Sequence, residues 1–308
     1  MTADSGAQRG TGVDRSRASL RPRGPSVELW GVLNVTPDSF SDGGQFLAPD
    51  AAIAAGLALA HQGAGVIDVG GASSRPPGAT YGAGAAFVAP EAEAGRVLPV
   101  VEALVARQQT VSIDTARGLV ARRALEAGAR IVNDVTMGAD PALLAAAAEH
   151  GAELVLMHSR GDGRADAAGT DYGAALVETV AAELGAAIEQ AARAGIARDR
   201  IWIDPGIGFS KTAEQSARLV ACLPALRALL PGHRVLVGAS RKSFLARLAP
   251  DADGNTPPPT ARLAGSLVAA LVAARHGADA LRVHDVGETR QALLAAAALE
   301  HLAEVPRG

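Results

Sequence analysis

The sequence predicts an α/β protein, a single (β/α)8 barrel of the TIM type preceded by a disordered tail. Three observations carry this. Short apolar runs recur eight times, and none shows the long polar alternation of a half-exposed strand. A segment of helical length separates each run from the next, which is the spacing of βα units. Glycine closes nearly every helical segment just before the following run. An open doubly wound sheet is the structural alternative. It is disfavoured because no GxGxxG fingerprint follows the first run.

The first strand runs from about Glu28 to Leu33 and breaks into Asn34, Thr36, Asp38, Ser39, Ser41 and Asp42 before Gly43-Gly44. Ala51–Gln62 reads as a helix, with Pro49 at its entry and Gly63 at its end. Val66–Val69 is the second strand, running into Gly70-Gly71 and the turn-rich Ser73–Gly78. A helix over Pro90–Arg107 has glutamates near its start, as the helix dipole favours. Strand three, Val111–Ile113, ends in Asp114-Thr115, and helix Ala116–Ala127 follows. Strand four, Arg130–Val132, ends in Asn133-Asp134 before helix Pro141–His150. Strand five, Glu153–Leu156, leads to Met157-His158 and a polar loop over Ser159–Thr170. Tyr172–Arg193 is a long helix. Strand six, Ile201–Ile203, precedes Asp204–Thr212 and a helix that Pro224 kinks or divides. Strand seven, Arg234–Val237, leads to Gly238–Ser243, and an insertion at Pro250–Pro259 separates two helices. Strand eight, Ala280–Val283, ends in His284-Asp285 before the last helix, Gly287–Leu302.

The 308 residues are 48% hydrophobic, enough to bury one large core. A net charge of -3 gives no general attraction to nucleic acid or anionic membrane. An aromatic content of 3% argues against base-stacking platforms. The single cysteine, Cys222, excludes an internal disulfide framework and reads as a buried thiol. No apolar run is long enough to span a membrane. Residues 1–26 carry arginines without an apolar stretch. They read as a disordered tail and not a secretory signal, which leaves 27–308 as the barrel domain and the cytoplasm as its expected location.

In a (β/α)8 barrel the residues just after the strands converge on one rim, where active sites lie. Here they are Asn34, Asp68, Ser74, Arg75, Asp114, Asn133, Asp134, Met157, Asp204, Arg241, Lys242, Arg282 and His284. Two chemical halves separate. Arg75, Arg282 and His284, with Asn34 and Ser74, form a candidate phosphate cradle, because planar guanidinium groups suit bidentate phosphate contacts. Asn34 and Asp38 offer hard oxygens to Mg²⁺, an ion that keeps several waters and binds mainly through substrate phosphates. Asp114, Asn133, Asp204 and Lys242 can read a nitrogen heterocycle, with Met157 and Phe209 packing against its flat face. Asp68 and Asp134 either join that set or only fix loops through backbone N–H groups. His158 reads as a hydrogen-bonded structural histidine. Arg117, Arg122 and Arg123 read as decoration of an exposed helix face.

Seven stretches occurring in order carry a family resemblance: Gly31–Gly44, Ser73–Pro76, Ser112–Thr115, Val132–Asp134, Asp204–Phe209, Ser240–Ser243 and Arg282–Asp285. From about Leu29 to Leu302 the chain resembles the dihydropteroate synthases, folate-pathway enzymes inhibited by sulfonamides. The resemblance implies a transferase that joins 4-aminobenzoate to 6-hydroxymethyl-7,8-dihydropterin diphosphate. It implies that Asp114, Asn133, Asp204 and Lys242 hold the pterin, with Met157 and Phe209 lining its slot. Asn34 is implied to meet Mg²⁺, while Ser74, Arg75, Arg282 and His284 meet the diphosphate. Phe40, Ser74, Pro76, Phe209 and Ser243 are implied to shape the aminobenzoate site. Asp114, Arg75, Lys242, Arg282 and His284 are then the expected catalytic set, small molecules the expected substrates, and a homodimer the expected assembly. The chain departs from the family in carrying Ser74 where many members have threonine, and in adding Pro77. A pterin-binding methyltransferase barrel, a weakly active synthase-like paralogue and a non-catalytic pterin binder are the competing readings.

Overall fold

The structure, a computed structural model, describes residues 27–36, 49–72, 88–160 and 170–304. Eight parallel strands close into a barrel in sequence order. They are β1 (Glu28–Asn34), β2 (Val66–Gly70), β3 (Val111–Asp114), β4 (Ile131–Asp134), β5 (Glu153–Met157), β6 (Ile201–Asp204), β7 (Arg234–Val237) and β8 (Ala280–Val283). The helices among the described residues are α1 (Pro49–Gln62), α2 (Pro90–Ala106), α3 (Gly118–Glu126), α4 (Pro141–Glu149), α5 (Leu176–Arg193), α6 (Ala213–Ala221), α7 (Leu223–Leu229), α8 (Ser243–Leu248), α9 (Leu263–Arg275) and α10 (Val286–Glu304). The expected disordered tail, residues 1–26, lies outside the described residues.

Strand side chains alternate between two cores, as a period of two requires. Leu29, Leu33, Ile67, Val69, Ile113, Leu154, Leu156, Ile203, Val237 and Leu281 point outward into the large cluster shared with the helices. Trp30, Val66, Ile131, Val155, Trp202, Leu236 and Ala280 form a separate cluster made from strands alone, the filled interior of the barrel. Trp30 and Trp202 meet edge to face inside it, with centroids 5.3 Å apart and planes at 62°. Such a pair contributes roughly 0.5–1.5 kcal/mol beyond its buried area. Their indole N–H groups are satisfied by Glu28 at 2.9 Å and Glu153 at 2.6 Å. The interior can therefore hold two tryptophans without an orphaned donor.

Several strands run one or two residues further than hydropathy marks. β1 reaches Asn34, β3 Asp114, β4 Asp134 and β6 Asp204. Backbone pairing does not depend on side-chain polarity, so the ladder continues after the apolar run stops. Pro224 does divide its helix, giving α6 and α7. Cys222 lies at the junction and is half-buried, not fully buried as the apolar stretch suggested. The long helix starts at Leu176, not at Tyr172. The Tyr172 hydroxyl donates instead to the Ser210 carbonyl at 3.0 Å, and Gly173 takes a φ of +54°. Arg117 is not surface decoration. It precedes α3, is 26% exposed, and donates to buried Glu93 at 2.8 Å.

Helix ends are set by ordinary capping chemistry. Asp140 caps α4 by accepting from Ala142 N at 2.9 Å, and the same carboxylate accepts from Gly118 N at 2.7 Å. Thr212 and Gln215 form a reciprocal capping box on α6. These caps fix the helices that follow Thr115 and Phe209, two chain segments that border the barrel mouth.

Candidate active site

The inner alternation that fills the barrel also builds the site. Two residues beyond each member of the inner cluster, the same strand presents its next inward side chain at the C-terminal mouth. Trp30 is followed in this way by Val32 and Asn34, Val66 by Asp68, Ile131 by Asn133 and Val155 by Met157. Trp202 is followed by Asp204, Leu236 by Gly238 and Ser240, and Ala280 by Arg282 and His284. Strand register then aligns Asn34 with Gly70, Gly70 with Asp114, and Asp114 with Asn133. Met157 pairs with Asp204 in the same way. A cavity of about 180 Å³ opens here, lined by Asn34, Asp114, Phe209, Lys242, Arg282 and His284, together with Val32, Thr36, Ala72, Gly238 and Ser240.

Arg282 is the electrostatic hub. Its side chain is 10% exposed, and Nη1 donates to Asp68 at 3.1 Å and to Asp114 at 3.4 Å. Burial opposes its charge, but Asp68, Asp114 and Asp204 outweigh burial and raise its pKa. Asp68 is 1% exposed, and the same oxygen that faces Arg282 accepts from Asn133 Nδ2 at 3.0 Å. Asp114 behaves differently. Burial first, then the charge of Asp68, pushes its pKa up to about 7 against the pull of Arg282. A third of its side chain is open, but Asp114 lines the cavity, so protein surrounds it on every other side.

The opposite wall holds Lys242 and Phe209. The Lys242 ammonium donates to the Ile207 carbonyl and lies 4.5 Å from the centroid of the Phe209 ring. Burial lowers its pKa to about 7, with Asp204 acting in the other direction. Asp204 uses Oδ1 to accept from Gly206 N at 2.7 Å, which pins the turn after β6. Among the described residues, four buried side-chain oxygens have no hydrogen-bond partner: Asp68 Oδ1, Ser112 Oγ, Asn133 Oδ1 and Asp204 Oδ2. Unmatched buried acceptors are costly, roughly 1–3 kcal/mol each. Those of Asn133 and Asp204 stand toward the C-terminal ends of β4 and β6, acceptors that suit N–H donors at the mouth.

His284 lies beside Ser240, with Nδ1 3.1 Å from the hydroxyl oxygen. Burial and then the charge of Arg241 drive its pKa down to about 4, so the imidazole is neutral at neutral pH. A neutral ring can donate from one nitrogen and accept at the other. Arg241 takes a φ of +58° and forks onto Asp285, so its guanidinium stands outside the cavity lining. Met157 is fully buried beside Asp204 and does not line the cavity. Ser243 is exposed at the start of α8 and does not line it either. Phe40, Ser74, Arg75 and Pro76 lie outside the described residues.

Asp38, the other oxygen donor read for Mg²⁺, also lies outside them. Among the described residues, no group of three or more His, Cys, Asp or Glu side chains converges to hold a metal ion. Asn34 offers a neutral amide oxygen from the cavity lining. That donor fits an ion that keeps its waters and takes most of its charge compensation from a phosphate ligand.

Sequence reasoning missed two supports. Glu93 is 1% exposed and accepts from Thr115 Oγ1 at 2.7 Å and Arg117 at 2.8 Å, so it braces the end of β3 that carries Asp114. Burial raises its pKa. Its position in the first turn of α2 offered an adequate but incomplete explanation, dipole complementation. The second support is Lys211. It is 5% exposed, which the polar run around it conceals.

The pterin-binding enzyme profile matches residues 30–284. The chain belongs to the pterin-binding enzyme family. Within that family it is 46% identical to the dihydropteroate synthase of Mycobacterium leprae, over 89% of this chain and 94% of that one. It is 41% identical to the dihydropteroate synthase of Synechocystis, over 90% and 91% of the two chains. Among solved structures, Xanthomonas albilineans dihydropteroate synthase with 4-aminobenzoic acid matches with a TM-score of 0.79, at 40% identity over 91% of this chain and 94% of that one. The same enzyme in complex with 7,8-dihydropteroate matches with a TM-score of 0.75, at 38% identity over 91% and 95%. Family membership thus agrees with a barrel whose mouth pairs unmatched acceptors with buried cations.

Proposed function

We propose that this chain is a dihydropteroate synthase, a transferase of folate biosynthesis. It joins 4-aminobenzoate to 6-hydroxymethyl-7,8-dihydropterin diphosphate and releases diphosphate. The observation that carries this reading is the meeting of two unlike halves across Arg282. On one side lie Asp114, Asn133 and Asp204, two of them with unmatched oxygens. On the other lie His284 and Asn34, at the ends of the paired strands β8 and β1.

The acceptor half suits the amino group and ring N–H of a pterin, and Lys242 donates to a ring oxygen or nitrogen from the Phe209 side. Arg282 and His284, with Ser74 and Arg75 by family resemblance, take the diphosphate. Asn34 would hold Mg²⁺ against diphosphate oxygens, and the ion would neutralise charge on the leaving group. The bond from the exocyclic methylene carbon to the diphosphate oxygen breaks, and its electron pair leaves with the diphosphate. Arg282 offsets that growing negative charge. The dihydropterin carries the positive charge left on the carbon. Asp114, held at a raised pKa by burial, gains from a cationic neighbour and favours that state. The neutral arylamine of 4-aminobenzoate then forms the C–N bond and afterwards loses its proton, so no strong base is required. Phe209, with Phe40, Ser74 and Pro76 by family resemblance, shapes the aminobenzoate side.

A homodimer belongs to the same proposal, supported by exposed Val268, Leu299 and Leu302 on α9 and α10. So does a cytoplasmic location. No helix among the described residues is long and apolar enough to cross a membrane.

The test is diphosphate release by the purified protein supplied with both substrates and Mg²⁺. Release that requires 4-aminobenzoate and collapses in Arg282→Met and Arg75→Ala is the expected result. Tight binding of pteroic acid without any release would reduce the protein to a binding barrel.

A further inference from the structure

The segment between β6 and α6 starts from Asp204 at the end of β6 and carries the Ile207 carbonyl that receives Lys242 and the Phe209 ring that lines the cavity. What holds its backbone in place lies behind it, away from the cavity. Lys211 Nζ lies 2.8 Å from His158 Nδ1, 3.0 Å from the Phe209 carbonyl and 3.4 Å from the His158 carbonyl. Those three acceptors match the three protons of an ammonium. His158 is fully buried, and its Nε2 lies 2.8 Å from Glu183 Oε2. The network sets the tautomer: Nδ1 accepts from Lys211, and Nε2–H donates to Glu183. Arg160 closes the outer end by donating to Glu183 at 2.6 Å.

Two further contacts show how tightly the segment is pinned. Gly206 approaches so closely that a Cβ would lie 1.8 Å from the His158 carbonyl oxygen. Ser210 takes a φ of +48°, unfavourable for an L residue. It is held by the Tyr172 hydroxyl on its carbonyl and by two hydrogen bonds between its own hydroxyl and the Arg160 backbone. A buried ammonium is an expensive way to fill space, since an aliphatic side chain would avoid the desolvation cost. Its charge is useful where carbonyls must be held from behind by strong donors.

The geometry points to Lys211 as a positioning residue. Through His158 and Glu183 it fixes the Gly206–Phe209 backbone, and so sets where Lys242 and the Phe209 ring meet the substrate. Burial pulls its pKa down to about 7, which accords with the cost of placing it there. The identity of the ligand in this inference rests on the proposed synthase reading, whereas the pinning of the segment does not.

The experiment compares wild type with Lys211→Met, which keeps the volume and removes the donors, and with Glu183→Gln at the accessible end of the chain of contacts. Binding of pteroic acid is titrated directly. KM and kcat are measured for both substrates, and amide exchange is followed at Gly208 and Phe209. The expected result for Lys211→Met is binding weakened about tenfold or more, equivalent to about 1.4 kcal/mol. KM for the pterin substrate should rise more than kcat falls, and exchange at those amides should accelerate. Glu183→Gln should move each quantity in the same direction by less, and it serves alone if the lysine variant does not fold. Unchanged exchange and affinity in a folded Lys211→Met would overturn the inference, as would lost thermal stability with affinity intact. A wild type that releases no diphosphate, while Lys211→Met still accelerates exchange, would refute the synthase reading and support the positioning role.

Discussion

Arg282 Nη1 and Asn133 Nδ2 converge on one oxygen of Asp68, at 3.1 Å and 3.0 Å. Asp68 is therefore the anchor beneath the site, and not the loop-fixing carboxylate that is one of its two readings in the sequence. Removing one partner of a buried ion pair leaves the other charge uncompensated, which typically costs about 3–5 kcal/mol. Asp68→Ala should lose about 3 kcal/mol, near the lower bound because Asp114 still faces Arg282. The double variant Asp68→Ala/Arg282→Met should lose less than the sum of the single losses. Urea unfolding of the four proteins gives the coupling, and strict additivity would refute the anchor.

Two groups of the site should give pH dependences of opposite sign. Asp114 has a folded pKa of about 7 against an ordinary value of 3.8, so the folded protein binds more protons between those limits. Its contribution to stability therefore falls as pH rises from about 4 to 7. Lys242 has a folded pKa of about 7 against 10.5, so the unfolded chain binds more protons above 7, and stability rises toward about 10.5. The two together predict a shallow minimum near neutrality in a plot of Tm against pH. Asp114→Asn should flatten the acid side, and Lys242→Met the alkaline side. The same pair predicts a narrow bell in kcat/KM centred near pH 7, because an ionised Asp114 and a protonated Lys242 are both needed.

The site was legible in the sequence to the extent that it follows strand ends. Asn34, Asp114, Asn133, Asp204, Arg282 and His284 each follow an apolar run, and closing the barrel brings such positions together. Lys242 and Phe209 followed from their loops. Glu93 and Lys211 were not legible, because each belongs to a polar stretch and becomes buried only through a partner distant in sequence. Arg117 was misread for the same reason: a basic residue beside a helix looks solvated until its buried acceptor, Glu93, is known. Met157 and Ser243 illustrate a different limit. Register shows which residues reach the mouth but not how far each side chain opens onto the cavity, and neither lines it here.

Asn34 provides a test that separates metal handling from pterin binding. It lines the cavity from β1, two strands from Asp114 on β3. Asn34→Ala removes the amide oxygen without touching Asp68, Asn133 or Asp204. The concentration of Mg²⁺ giving half-maximal activity should rise roughly tenfold or more, on the order of one lost oxygen ligand at about 1.4 kcal/mol. Pteroic acid, which lacks the diphosphate, should bind as it does to wild type. An unchanged Mg²⁺ requirement would remove Asn34 from the metal site.

Gly206 and Gly254 share a left-handed backbone, with φ of +65° and +79°, but their surroundings differ completely. Nothing lies within 4 Å of a Cβ built on Gly254, whereas one on Gly206 would lie 1.8 Å from the His158 carbonyl oxygen. Gly254→Ala should therefore cost only the backbone term, about 1–2 kcal/mol, and leave activity intact. Gly206→Ala carries the same term and must also push the end of β5 away from the turn after β6. That displacement takes Asp204, the Ile207 carbonyl and Phe209 with it. Gly206→Ala should lose clearly more stability by urea unfolding and nearly all activity, even at temperatures where it remains folded. The difference between the two losses isolates the cost of separating His158 from the turn. Equal losses with equal activity would show that the close approach of His158 to Gly206 does not hold the site together.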